Sequence, residues 1–179
     1  YTVKKFPSGV EYVISGTFIT YKQDRLLPEK IYTLDISQPI PLGLFSPSNI
    51  DGANNLQKDS RYVERINFQQ YDVYGNLLSQ FKTGDLQQSY LWDYQYNYPI
   101  AEVMNADTGS IAYSSFESNG SGRWDIASTL RDTLNAVTGM KCYNLVNGAC
   151  SRSGLASANS YIVSYWSKTK RNFSVTGSM

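Results

Sequence analysis

The sequence predicts an all-β protein with antiparallel strands, and three observations lead to this fold class. First, only 17% of the 179 residues are charged, whereas 15 are tyrosine, an amino acid enriched in strands. Second, apolar and polar residues alternate with a period of two along much of the chain. Third, short runs with Gly, Asn, Asp or Pro separate these stretches at the spacing of turns.

Two strands are predicted in the first part of the chain. Residues 10–21 alternate as a strand, in which Gly16 indicates a bulge or the close approach of another segment. A second strand is predicted over residues 30–36. Prolines interrupt regular structure after that strand, so residues 39–60 are expected to form a long polar loop.

The middle of the chain carries the clearest strand and turn signals. Residues 61–72 alternate as a strand, residues 74–76 (Tyr-Gly-Asn) supply a tight turn, and residues 77–82 return antiparallel. A second turn at residues 83–85 leads into a long strand over 90–98. Residues 99–104 continue that strand or pair beside it.

The last third of the chain is less regular. Strands are predicted over residues 111–117, and shorter β-like runs follow at 140–146, 149–152, 160–167 and 173–176. Residues 126–137 are the one helix candidate, because their apolar residues are spaced at helical intervals. This stretch also contains several poor helix formers, so an irregular loop is an equal alternative.

The two cysteines flank a strong hairpin signal, Asn147-Gly148. In that hairpin Cys142 and Cys150 fall out of register and point to opposite faces, which disulfide geometry does not allow. The sequence therefore predicts two free, partly buried thiols. A disulfide is the alternative, because extracellular cysteine pairs often bond, and it would require a different turn.

Composition excludes several classes of function. With 16 basic and 15 acidic residues, the chain has no basic excess that would bind nucleic acid. The chain has no histidine, which excludes histidine-dependent triads and histidine-ligated zinc. No apolar run reaches the roughly 18 residues of a membrane-spanning helix. Because no carboxylate pair stands out for glycoside cleavage either, we expect that the chain is not an enzyme.

One segment in the middle of the chain resembles a known repeat. Residues 67–78, NFQQYDVYGNLL, resemble the tyrosine–aspartate unit of RHS/YD-repeat proteins, in which Tyr-Asp-x-x-Gly-Asn/Arg-Leu recurs. Residues 89–103 look like the segment that often follows such units in large surface proteins of the Bacteroidota. The resemblance implies a YD-repeat-like array of β-hairpins over residues 1–112 and an extracellular or outer-membrane location. The partners it implies are other segments of the same large protein or a surface assembly.

The sequence from residue 113 onward looks like the opening of a jelly-roll module of the carbohydrate-binding or lectin-like kind. Residues 115–117, 122–124, 143–145 and 161–166 carry this resemblance, which implies a partial β-sandwich over 113–179. Such modules often place a structural calcium ligand at the position of Glu117, and Asp125 or Asp107 is expected to assist. The alternative is that these carboxylates are solvated or bonded within a hairpin. The first residues lack a signal-peptide core, so we expect a mature or excised segment.

Aromatic residues alternate within the predicted strand over 90–98, and residues two apart share one face of a strand. The members of this aromatic stripe are Tyr90, Trp92, Tyr94, Tyr96 and Tyr98. As a function, the stripe would be a sugar-stacking platform with a glycan as partner. Alternatively it packs against a neighbouring element. Because the opposite face is mostly polar, we expect the aromatic face to be the buried one, with Trp92 mostly buried.

Taken together, these features predict a non-enzymatic, secreted or cell-surface segment with a structural or adhesive role. Apart from the calcium candidate, no cofactor is expected. The first alternative is a carbohydrate-binding module that uses the aromatic stripe, chiefly Trp92, Tyr94, Tyr96 and Tyr98. The second alternative is a shell fragment of a polymorphic toxin, since some members of the resembled family enclose a C-terminal toxin.

Overall fold

A computed structural model describes residues 1–53, 55–168 and 176–177 of the chain. It confirms the predicted fold class, because the described residues form antiparallel sheets and no α-helix. The strands, in chain order, are β1 (Thr2–Lys5), β2 (Glu11–Ser15), β3 (Thr17–Tyr21), β4 (Pro28–Leu34), β5 (Ile40–Pro41), β6 (Asn49–Ile50), β7 (Leu56–Gln57), β8 (Tyr62–Tyr71), β9 (Leu77–Lys82), β10 (Gln87–Asp93), β11 (Tyr98–Met104), β12 (Arg131–Asp132) and β13 (Cys142–Tyr143). Two short 3₁₀ turns lie at Leu42–Leu44 and Ser128–Leu130.

The largest sheet has six strands in the order β11-β10-β9-β8-β4-β3. A three-stranded sheet has the order β1-β2-β5, and two further pairs are β6-β7 and β12-β13. The chain divides into two compact units. The first unit contains residues 1–71 and 80–87, and the second contains residues 72–79 and 88–179. The sequence-based division into 1–112 and 113–179 remains a prediction.

The core of the first unit is aromatic and sits beside Gly16. Val13, Phe45 and Tyr62 are its buried members. Gly16 separates β2 in the small sheet from β3 in the large one, so the prediction of a single strand over residues 10–21 is wrong. A Cβ atom at Gly16 would lie 2.5 Å from the Tyr62 hydroxyl, so the predicted close approach is confirmed.

The predicted long loop over residues 39–60 contains β5, a 3₁₀ turn and the β6–β7 hairpin. Its end is held by Asp59, which is buried. The Asp59 carboxylate accepts hydrogen bonds from the backbone N–H groups of Ser46 at 2.9 Å and Arg61 at 3.0 Å. Asp51 closes the hairpin in the same way, because it accepts from the N–H groups of Ala53 and Asn55. This segment has only two-residue strands, and hydrogen bonds to the Asp51 and Asp59 carboxylates hold its backbone in place.

The turn predicted between residues 72 and 77 is confirmed. Gly75 has a φ of 90°, a left-handed conformation that glycine adopts without strain. The Asp72 Oδ1 atom accepts from the N–H groups of Tyr74 at 2.8 Å and Asn76 at 2.9 Å. Because Asp72 and Asn76 satisfy the turn's backbone groups, β8 ends at Tyr71 and β9 begins at Leu77.

Three predictions for the second unit are wrong. Residues 111–117 form no strand, and Phe116 has a positive φ of 65°. No helix forms over residues 126–137, where a 3₁₀ turn leads into β12. The Asp132 carboxylate accepts from the N–H groups of Leu134 and Asn135, a local arrangement that competes with helix formation. Residues 160–167 also form no strand.

The predicted hairpin around residues 147–148 is also wrong. β13 pairs instead with β12, which places Cys142 opposite Asp132, and Ser151 forms an isolated bridge with Asp125. The prediction of two free thiols is nevertheless confirmed for Cys142 and Cys150. Of the run predicted at 173–176, residues 173–175 lie outside the described residues. Within the described ranges, no helix is long and apolar enough to cross a membrane.

Candidate functional site

The predicted strand over residues 90–98 is interrupted, so the aromatic stripe does not line one face of a strand. β10 ends at Asp93, the chain turns through residues 94–97, and β11 begins at Tyr98. The turn is closed by the Asn97 N–H, which donates to the Asp93 carbonyl oxygen at 3.1 Å. Alternation alone did not reveal this turn because it contains no Gly or Pro.

The burial of the two faces of β10 is also opposite to the prediction. Ser89, Leu91 and Asp93 are the buried residues, whereas Tyr90 and Trp92 are half-buried. The polar members of the buried face have partners, because the Ser89 hydroxyl donates to the Ala106 carbonyl oxygen at 2.6 Å. Hydrogen bonds within the protein offset the free-energy cost of burying these polar groups, so they can be withdrawn from water.

Asp93 is the central polar residue of that face. Its carboxylate accepts hydrogen bonds from the Tyr94 N–H and from the Ser118 hydroxyl. A Cβ atom at Gly120 would overlap the same carboxylate, so only glycine fits at that position without rearrangement. These contacts fasten the irregular segment over 118–120 to the end of β10 and fix the start of the turn over 94–97.

Four exposed tyrosines lie on the turns over 72–76 and 94–97 and at the start of β11. This set, the tyrosine cluster, consists of Tyr74, Tyr94, Tyr96 and Tyr98, and their exposed fractions range from 46% to 65%. The rings of Tyr74 and Tyr96 stack with centroids 4.5 Å apart and planes at 25°. The rings of Tyr94 and Tyr98 meet edge to face at 6.0 Å. The cluster therefore presents two ordered ring pairs to solvent.

The backbone beneath the cluster is unusual. Tyr94, Gln95 and Tyr96 have consecutive positive φ values of 53°, 60° and 65°. Each such residue costs about 1–2 kcal/mol relative to right-handed conformations. Asn76 offsets part of this cost, because its side-chain amide donates to the Tyr96 carbonyl oxygen at 2.8 Å and to Asp72 Oδ2 at 3.0 Å. Asn97 adds a similar bond to the Tyr94 carbonyl oxygen at 3.1 Å.

Trp92 is not part of this exposed surface. Its indole Nε1 donates to the Leu77 carbonyl oxygen at 2.8 Å, and the residue faces Pro99 across the β10–β11 pair. Of the predicted ligand-binding residues, Tyr94, Tyr96 and Tyr98 lie in the cluster and Trp92 does not. Tyr74 was missed, although its position in a turn closed by Asp and Gly-Asn already indicated an exposed side chain.

The carboxylates predicted to bind calcium support the backbone of the second unit. Glu117 Oε1 accepts from the N–H groups of Met140 at 2.8 Å and Lys141 at 2.9 Å. Asp125 Oδ2 accepts from the N–H and hydroxyl of Ser153. In the described part of the chain, no three or more Asp, Glu, Cys or His side chains converge as metal ligands. Calcium binding at Glu117 and Asp125 remains a prediction.

No known protein family, curated protein or solved structure matches this chain. The resemblance to RHS/YD-repeat proteins therefore rests on the residues that carry it, chiefly 67–78 and 89–103.

Proposed function

We propose that this chain is a non-enzymatic structural segment of a secreted or cell-surface assembly, and that neighbouring segments of that assembly cover its apolar run at residues 161–166. The exposure of this run is the observation that carries the proposal. Ile162 is 97% exposed and Trp166 is 96% exposed. Large apolar side chains that share a face are rarely left in water unless a partner covers them.

The pattern of the run indicates what kind of partner fits it. In residues 161–166, Tyr-Ile-Val-Ser-Tyr-Trp, the side chains of Ile162 and Trp166 are four positions apart and therefore fall on the same side of an extended chain. This composition is typical of strands, although no strand forms here. Covering a side chain such as Ile162 contributes about 1.5–3 kcal/mol. A strand from a neighbouring segment would therefore both pair the backbone and bury these side chains.

The repeat-like middle of the chain supports the same interpretation. A lone β-hairpin is marginal in water, but β8 and β9 already belong to a six-stranded sheet, so in an array of such hairpins the neighbours would add stacking against this sheet. The resemblance of residues 67–78 to the YD unit makes a large surface protein with such arrays the expected parent. Extracellular location is part of this proposal.

Self-association of the purified chain tests the proposal, because a second copy is the nearest substitute for a missing partner strand. We expect association that increases with concentration in sedimentation velocity. The double substitution Ile162→Asp with Trp166→Asp should leave a monomer. Leu134→Asp is the matched control, since Leu134 is 90% exposed but lies in a turn. A wild-type chain that remains monomeric at high concentration, or association that survives the double substitution, would contradict the proposal.

The tyrosine cluster favours a second candidate function, glycan binding. Exposed, ordered phenol rings offer apolar faces to the C–H groups of a pyranose and hydroxyls to its oxygens. The ring pair of Tyr74 and Tyr96 is the best platform, because Asn76 fixes the backbone beneath it.

A glycan array with matched variants tests this candidate. We expect Tyr96→Ala to abolish any glycan signal and Tyr21→Ala, an exposed control on β3, to leave it unchanged. Trp92→Ala is not a suitable test, because loss of the bond to Leu77 would disturb the fold. A signal that Tyr96→Ala leaves intact, or no signal on any glycan, would remove the cluster as a glycan site.

A further inference from the structure

Two arginine side chains of the second unit converge on one backbone turn. The Arg123 guanidinium donates from Nη1 to the Thr108 carbonyl oxygen. The Arg152 guanidinium donates from Nη2 to the Gly109 carbonyl oxygen at 2.7 Å. Because Thr108 and Gly109 are adjacent in the chain, the two positive groups are held close to one another.

The charge of this pair is not balanced by a bonded carboxylate. Neither Arg123 nor Arg152 belongs to the ion pairs found among the described residues. The carboxylate that acts on Arg123 electrostatically is Asp107. Both of its oxygens are engaged within its own turn, where Oδ1 accepts from the N–H groups of Gly109 and Ser110 and Oδ2 from the Ser110 hydroxyl.

The positive charge of Arg152 acts unfavourably on the Arg123 guanidinium. Burial and then the positive charge of Arg152 lower the pKa of the Arg123 guanidinium, and Asp107 only opposes this shift. Two like charges that are partly withdrawn from water destabilise each other unless an anion lies between them. The arrangement is therefore more favourable with a negative ligand than without one.

One donor of the pair also lacks an acceptor in the described part of the chain. Arg152 Nε is buried and has no hydrogen-bond partner among those residues, while the Nη1 of the same guanidinium donates to the Ser153 carbonyl oxygen. A buried donor without a partner is unfavourable, and Nε with the neighbouring Nη forms the planar fork that matches two oxygens of an oxyanion.

We propose that Arg123 and Arg152 form a binding site for an oxyanion, namely a sulfate, phosphate or carboxylate group. The anion accepts from Arg152 Nε and from the remaining N–H groups of both guanidiniums. Its charge offsets their repulsion, so binding stabilises the irregular segment over 107–110 that the two side chains already hold. The structural role proposed above does not require this site.

Thermal melting in sodium sulfate, against sodium chloride at matched ionic strength, tests the site. We expect sulfate to raise the melting temperature saturably, by about 3–6 °C at tenfold excess over its dissociation constant. The general stabilising effect of sulfate does not saturate and is common to all variants. Arg152→Gln should lose the saturable part, whereas Arg25→Gln, at an exposed position of the first unit, should retain it.

The same variant separates a ligand site from a merely structural role. Without sulfate, Arg152→Gln should melt within a few degrees of the wild type, because relief of repulsion offsets the lost bond to Gly109. If Arg152→Gln lowers the melting temperature equally with and without sulfate, or if wild type and variant respond alike to sulfate, the proposal is overturned.

The ¹⁵Nε signal of Arg152 in the wild type provides a readout independent of the variant's folding. It should shift saturably with sulfate, and an unchanged signal also overturns the proposal.

A second set of ligands identifies the source of the oxyanion. Inorganic sulfate, inorganic phosphate, acetate and a sulfated monosaccharide are compared with the unsulfated parent sugar by calorimetry. Tighter binding of the sulfated sugar than of inorganic sulfate indicates a substituted glycan, and equal binding indicates a free ion. Both results support the oxyanion site. The oxyanion site is contradicted if the sulfated and unsulfated sugars give the same heat of binding and sulfate, phosphate and acetate give none.

Discussion

Asp59 shows how one residue supports a whole segment of the first unit. Burial alone would raise the pKa of its carboxyl group, but hydrogen bonds from the backbone of Ser46 and Arg61 and the charge of Arg61 outweigh burial. The net result is a pKa below the ordinary value near 3.8. The folded state therefore binds the proton more weakly than the unfolded state does. The stabilisation is complete above the unfolded pKa and is lost as the pH falls through the folded one.

The substitution Asp59→Asn tests this role. We expect it to reduce the free energy of unfolding at neutral pH by about 1–3 kcal/mol, since an amide cannot accept from both backbone N–H groups as a carboxylate does. It should also weaken the loss of stability below about pH 4. Denaturant unfolding between pH 2 and 7 measures both effects, with the exposed Asp24→Asn as the control. If Asp59→Asn loses as much unfolding free energy at low pH as the wild type does, another carboxylate is responsible for the acid sensitivity.

Single-residue properties were predictable where they depend on local chemistry. The two cysteines are free as predicted, but the reason differs, since Cys142 lies in β13 and no hairpin forms at 147–148. Burial raises the pKa of both thiols, which makes them poor nucleophiles near neutral pH. The burial of Ser89 and Asp93 was not predictable, because their partners Ala106 and Ser118 lie far along the chain.

At the scale of elements, the strands that the sequence predicted best are those bounded by explicit turn residues. The β8–β9 hairpin was predictable because Asp72, Gly75 and Asn76 each supply a recognised part of its turn. The turn over 94–97 lacked such a signal, since Tyr, Gln and Tyr rarely adopt positive φ. Its conformation follows from bonds to Asn76 and Asn97, which no pattern of periodicity records.

Two opposite substitutions test the contrast between these turns. Gln95→Gly should raise the melting temperature by about 1–4 °C, because glycine relieves the strain at a φ of 60°. Gly75→Ala should lower the free energy of unfolding by about 1–2 kcal/mol, because alanine is strained at a φ of 90°. Calorimetry of both variants provides the comparison. Destabilisation by Gln95→Gly would mean that the turn over 94–97 is not strained.

At the scale of the whole molecule, the fold class was predictable and the second unit was not. Beyond Met104 the described chain has only short strands, and side chains add long-range bonds to the few that its backbone makes. Arg131, for example, donates from Nη2 to the Gly120 carbonyl oxygen at 2.7 Å, and Lys141 donates from Nζ to the Glu117 carbonyl oxygen at 2.9 Å. Such contacts leave no signal in the alternation of apolar and polar residues. Alternation therefore predicted strands in this region where none form.

The central claim is that the apolar run at residues 161–166 is a strand without its partner. Hydrogen–deuterium exchange of the purified chain over this run tests the claim most directly. In dilute solution we expect the backbone amides of these residues to exchange as fast as in an unfolded peptide, while those of β8 and β10 stay protected. At concentrations where the chain associates, the run should become protected. Protection of the run already in the dilute monomer would contradict the account, because the chain would then cover the run by itself.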